Sequence, residues 1–126
     1  MSIQTPLGKV KGHGAAGTGT HHFWYQRLTA MALVPLTLWF VWAVVRYVGA
    51  PYADVIAFLG HPVSAVAMLM FVLMALGHAL LGLQVVIEDY VPREGPRITL
   101  LLVTNFVLLA IAVTCVVAVM RMVVHS

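Results

Sequence analysis

The chain has 126 residues, of which 62% are hydrophobic and only 9% charged, with a formal net charge of +3. Soluble domains carry about a quarter charged residues, so a chain this apolar has too little polar surface to face water and belongs in a bilayer. Its seven Lys and Arg residues are scattered over segment ends, which excludes a nucleic-acid patch and leaves them as topology signals.

Residues 1 to 20 include GHGAAGTGT, a glycine-rich stretch with no apolar period, and are expected to form a flexible cytoplasmic segment. Residues 21 to 126 are expected to form a three-helix membrane domain, with helices at about 28–48, 63–88 and 98–121. HHFWYQR opens it, with Trp24 and Tyr25 suited to the headgroup belt and Arg27 snorkelling. The first charge-free window, Leu28 to Val45, contains Pro35, where a kink is expected, and Trp39, Trp42 and Tyr47 mark its outer end. It is expected to stay on the protein, because the apolar run is too long for a signal peptide and no small-residue cleavage site follows. PYADVIAFLGHP, residues 51 to 62, reads as a short interfacial piece.

The second window runs from Val63 to Ile87 and the third from Ile98 to Met120. Each window approaches or exceeds the ~18–25 residues needed to cross a hydrocarbon core. None alternates in polarity as a barrel strand does, so the predicted fold class is an all-α membrane protein with three transmembrane helices. The loop from about Val91 to Pro96 is short and holds two prolines and a glycine, which makes helices two and three antiparallel neighbours. Lys9, Lys11, Arg27, Arg93 and Arg97 fall on one side of such a chain, and Arg46 and Arg121 on the other. The positive-inside bias then predicts a cytoplasmic N-terminus, a periplasmic C-terminus and a bacterial inner membrane as the simplest location. Cys115 lies inside a span, has no second cysteine to pair with, and reads as a small apolar side chain. No water-soluble domain is expected, so any soluble chemistry must come from another chain.

GHALLGLQVVIEDYVP, residues 77 to 92, carries the candidate chemistry. His78 lies ten residues before Glu88, about 15 Å below the inner interface and near mid-bilayer. An ionisable residue at that depth is a functional candidate. Two readings stand side by side: a neutral imidazole hydrogen-bonded to a neighbouring helix, and an axial haem ligand, since imidazole coordinates iron well and the bilayer suits a porphyrin. Phe71, Met74, Gly82, Val85 and Asp89 all fall within about 40° of His78 around the helix. Gly82, one turn on, would let a flat macrocycle or another helix approach. His13, His21, His22, His61 and His125 fall outside the windows or at their ends, so a second histidine ligand would have to come from a partner subunit. Asp89 and Tyr90 sit three turns nearer the cytoplasm, where Tyr90 offers a phenolic donor to a quinone carbonyl or serves only as an interface anchor.

HALLGLQVVIEDYV, with its Asp-Tyr pair eleven residues after the histidine, resembles the smaller membrane-anchor subunits of the succinate dehydrogenase (complex II) family. HHFWYQRLTAMALVPLTLWF and the three-span layout look like their bacterial form, and the resemblance covers about residues 20 to 120. It implies a four-chain complex, in which this chain and a second, cytochrome b-type anchor hold haem b and reduce ubiquinone beside a flavoprotein and an iron–sulfur subunit. It implies His78 as the haem ligand, Tyr90 as the quinone hydrogen-bond donor and Asp89 as its supporting acid. Arg27 and one of His21 or His22 match positions near the haem propionates, the spacing favouring His21. The Ser-x-x-x-Arg motif of the larger anchor is missing, which favours the smaller one. The competing expectations are a fumarate reductase anchor running electrons the other way, and a small transporter or scaffold with His78 as a proton relay.

Overall fold

The computed structural model describes residues 18–126. Lys9, Lys11 and His13, and the flexible segment expected over 1–20 as far as residue 17, lie outside the described residues. From Thr18 onward the chain is helical, and four helices follow: α1 (Thr18–Tyr47), α2 (Tyr52–Gly60), α3 (Pro62–Tyr90) and α4 (Glu94–His125). Three of them, α1, α3 and α4, are long and apolar enough to cross a membrane. At 1.5 Å per residue each exceeds the hydrocarbon thickness by about 15 Å, so tilt or polar ends reaching the headgroups must absorb the surplus.

α1 begins ten residues before the charge-free window does, because the window marks hydrocarbon, whereas the helix runs on through the polar and aromatic interface residues. Pro35 lies within it, costing one backbone hydrogen bond without ending the helix. The stop comes at Gly49, whose φ of +78° places it in the left-handed region that glycine enters freely. Val48 N–H donates to the Val44 carbonyl and Ala50 N–H to the Tyr47 carbonyl, so the terminal carbonyls are satisfied.

The interfacial piece is a nine-residue helix, α2, started after Pro51 with Asp54 in its first turn. His61 is extended and ends it, and its side chain caps α3 by accepting from the Val63 N–H at 3.3 Å, with Pro62 in the first turn. α3 ends at Tyr90 because Pro92 disfavours a helical residue before it. The turn to α4 is shorter than the sequence suggests. Glu94 and Pro96 already belong to α4, since Pro is tolerated where the first-turn N–H groups have no intrahelical partner.

α3 is the central helix, packing on α1 along one side and α4 along the other, with α2 laid against the lower parts of α3 and α4. The buried residues are small or β-branched: Ala43, Gly60, Ser64, Ala65 and Val119. Helices in lipid have no hydrophobic drive to associate, so small residues that admit close backbone approach decide where they touch. Aromatic stacking adds to the α1–α3 contact through Phe40 and Phe71, whose ring centroids lie 4.6 Å apart. Phe58 of α2 stacks on Tyr47 of α1 at 4.4 Å and also meets Trp39 and Trp42, folding α2 back onto the end of α1. Three polar side chains on α4 satisfy themselves locally. Thr99, Asn105 and Thr114 each donate to the carbonyl four residues back, which removes a donor that lipid could not satisfy.

Candidate functional site

His78 sits in the middle of the middle helix, half-buried, on the side of α3 that faces α1. Its Nδ1 lies 3.1 Å from the Thr29 hydroxyl oxygen on α1. That hydroxyl is also 2.8 Å from the Tyr25 carbonyl and 3.1 Å from the Gln26 carbonyl. Among the described residues nothing hydrogen-bonds the other ring nitrogen, Nε2. One ring nitrogen is thus engaged at mid-span and the other is open among the described residues.

The face of α3 that carries His78 is shared with α1. Phe71 stacks on Phe40 two turns away, and a Cβ placed on Gly82 would meet only Gln26 Nε2, at 3.9 Å. Gly82 is therefore not demanded by any contact among the described residues. Gln26 itself is buried at its Oε1, which has no hydrogen-bond partner. A polar atom orphaned in an apolar setting costs free energy, so this amide has an acceptor position left for a donor beyond the described residues.

Asp89 and Tyr90 lie at the last turn of α3, both exposed, Tyr90 to 81%. Asp89, eleven residues on, lies about 16 Å from His78 along the axis and about 20° around the helix, whereas Tyr90 lies about 18 Å along and about 120° around. No ion pair forms among the described residues, so Asp89 faces outward without a cation beside it. Arg27 is exposed, and its guanidinium lies 5.5 Å from the Phe23 ring centroid on its own helix. It sits about 160° around α1 from Thr29, so the structure does not bring it to the face that meets His78. Of the histidine doublet, His21 is exposed and His22 half-buried, with His22 close to the Thr29 face by helical rotation.

Thr29 is what the sequence reading missed. It is the first polar side chain inside the first charge-free window, and that position inside lipid was its only signal. A groove of about 490 Å³ runs between α3 and α4, lined by Leu73, Leu80, Asn105 and Phe106. It excludes His78, Asp89 and Tyr90, and its one amide, Asn105, donates to its own helix. Among the described residues no three His, Cys, Asp or Glu side chains gather to hold a metal ion. A haem iron asks less of one chain, because the porphyrin supplies four donors and the protein only axial ones. His78, with Nδ1 engaged and Nε2 open, fits that donor requirement.

Three apolar spans, no strand among the described residues, and polar groups gathered on and beyond the central helix define the class: a small multi-pass helical membrane subunit. The family model for the succinate dehydrogenase/fumarate reductase transmembrane subunit matches residues 1–119, and the chain belongs to that family. The chain is 35% identical over 111 residues to the succinate dehydrogenase hydrophobic membrane anchor subunit of Rickettsia bellii (strain RML369-C), covering 88% of this chain and 89% of that protein. The subunit of the same name from Paracoccus denitrificans is 33% identical over 90 residues, 71% of this chain and 70% of the relative. The succinate dehydrogenase membrane anchor subunit of Reclinomonas americana is 32% identical over 84 residues, 64% of this chain and 70% of the relative. No solved structure gives a significant match. The chain is thus a membrane-anchor subunit of an enzyme complex, embedded as a multi-pass inner-membrane protein.

Proposed function

We propose that this chain and a second, cytochrome b-type anchor subunit hold one haem b between them, form a ubiquinone-reduction site, and fasten a flavoprotein and an iron–sulfur subunit to the bilayer. Succinate chemistry belongs to the soluble subunits. The observation that carries the reading is His78: it is held at mid-span by Nδ1, with Nε2 unpartnered among the described residues. A haem bound there would supply one-electron exchange within the membrane. His78 would provide one ligand nitrogen, and a second would come from the partner anchor.

At the end of α3, the Tyr90 hydroxyl donates a hydrogen bond to a quinone carbonyl oxygen, and this bond strengthens as that oxygen gains charge. Asp89, one residue before it, holds a proton or a hydrogen bond at the same level. Their exposure supports a site completed by other subunits, because a side chain open on this chain is free to be covered in a complex. Of the residues expected near the propionates, His22 is the better placed toward α3, whereas Arg27 faces about 160° around α1 from Thr29. The charge bias supports an orientation with the Asp89–Tyr90 end in the cytoplasm, beside the soluble subunits. The relatives named above are succinate dehydrogenase subunits, which favours succinate oxidation over fumarate reduction.

The test is His78→Ala in the purified complex. The reduced b-type haem band should disappear or change, and the two anchors should co-purify less well. An unchanged low-spin spectrum would remove His78 from the ligand set. Orientation is read separately, with single cysteines at Gly95 and Ser126 in a Cys115→Ala background. Gly95 should label only from the cytoplasm and Ser126 only from the periplasm, and the reverse pattern would overturn the proposed docking side.

A further inference from the structure

We propose that Thr29 is the positioning residue for His78: its hydroxyl holds the imidazole as the Nδ1–H tautomer and presents a bare Nε2 to the haem iron. The inference rests on the haem reading above. Its basis is proton counting. The Thr29 hydroxyl has one hydrogen, and its oxygen lies 2.8 Å from the Tyr25 carbonyl and 3.1 Å from the Gln26 carbonyl, both of which only accept. In the proposed assignment that hydrogen goes to the α1 backbone. What then faces His78 Nδ1, 3.1 Å away, is a lone pair, and Nδ1 is the donor. A neutral imidazole carries one N–H, and placing it on Nδ1 leaves Nε2 as a lone pair.

Three consequences follow for the ligand. The ring is held in rotation about its Cβ–Cγ bond, because one edge is tied to a neighbouring helix. The coordinating nitrogen is already unprotonated. The ligand's basicity is set by its acceptor, as it is for metal-bound histidines generally, whose second N–H is given to a carboxylate, a carbonyl or water. A hydroxyl already donating to a carbonyl is a better acceptor than a free one, and it is weaker than a carboxylate. Removing it withdraws electron density from the imidazole and disfavours the oxidised iron. The Thr29–His78 bond also couples α1 to α3 across 49 residues of sequence, so the first span orients the ligand of the second.

The experiment compares wild type, Thr29→Val, Thr29→Ser and Thr114→Val in the whole complex, purified in mild detergent. Valine keeps the β-branched shape and removes the hydroxyl. Thr114, on α4, donates only to Ala110 and serves as the control for losing a backbone-bonded hydroxyl. In Thr29→Val the haem midpoint potential should rise by about a tenfold change in the oxidised-to-reduced ratio, 59 mV for one electron. Haem retention against a soluble haem scavenger should fall about 10–100-fold. Thr29→Ser should restore both, and Thr114→Val should match wild type. If valine prevents assembly, Thr29→Cys takes its place, since a thiol is a weak acceptor and should shift the potential in the same direction. A wild-type potential and retention in Thr29→Val, or in Thr29→Cys where valine does not assemble, would overturn the role of Thr29 alone. Absence of a b-type haem from the wild-type complex, or a haem indifferent to His78→Ala, would overturn the haem reading and this inference together.

Discussion

At the α2 end of the bundle, Ala43, Gly60, Ser64, Ala65 and Val119 bring all four helices into buried contact, whereas no described residue is buried at the end that carries Asp89 and Tyr90. Small residues at the α2 end admit the close approach. Gly60 approaches the end of α4 so closely that an added Cβ would run into the Ser126 side chain and come within 2.8 Å of the Met122 carbonyl. The Ser126 hydroxyl in turn lies 3.5 Å from the Gly60 carbonyl. At the other end Gly95 has nothing among the described residues within 4 Å of an added Cβ. One end is closed by the chain's own residues. Among the described residues the other is open, and in the proposed complex it is where other chains, haem and quinone meet it.

The largest expected effect that probes this contrast falls on the open end. Tyr90→Phe removes one hydroxyl and keeps the ring, so an interface anchor would be preserved. If the hydroxyl donates to a quinone, quinone reduction by the complex should slow by about 10–1000-fold. Succinate oxidation coupled to a dye that takes electrons before the membrane site should stay near normal. Wild-type quinone turnover, at limiting and saturating quinone alike, would reduce Tyr90 to an anchor and leave the open end without its proposed chemistry.

A smaller effect, of a different kind, is expected at the closed end. Gly60→Ala should destabilise the chain by about 1–3 kcal/mol, the range for forcing extra atoms into a packed contact. Thermal denaturation of the detergent-solubilised complex should show it, while dye-coupled succinate oxidation before melting is unaffected. An unchanged melting temperature would mean that the α2–α4 contact gives way freely and that the contrast between the ends is shallower than the packing suggests.

The smallest effect on the chain itself is expected from Gly82→Ala, and that makes it the sharpest test of what lies outside. An added methyl there meets nothing closer than Gln26 Nε2 at 3.9 Å, and alanine is the better helix former by about 1 kcal/mol. The isolated chain should therefore keep its helicity and stability by circular dichroism. Loss of haem or of the partner anchor in the assembled variant would then report a close approach made by one of them, and normal haem with normal assembly would show that this glycine is not needed by either.

The sequence by itself determined the number of spans, their order and the depth of His78. These follow from lengths of charge-free chain measured against a fixed hydrocarbon thickness, which needs no tertiary knowledge. It also exposed the His78-to-Tyr90 spacing, because one continuous helix converts residue number directly into distance and angle. Helix limits were less legible. α1 starts at Thr18 because polar and aromatic interface residues continue a helix as readily as apolar ones do, and only the backbone reveals where it begins. Tertiary structure alone decided which apolar faces touch and which stay open, since lipid-facing and helix-facing surfaces have the same composition. It alone joined Thr29 to His78, 49 residues apart, and Ser126 to Gly60, 66 apart. Such pairs depend on the rotation and offset of one helix against another, and neither is written in the hydropathy of either helix taken alone.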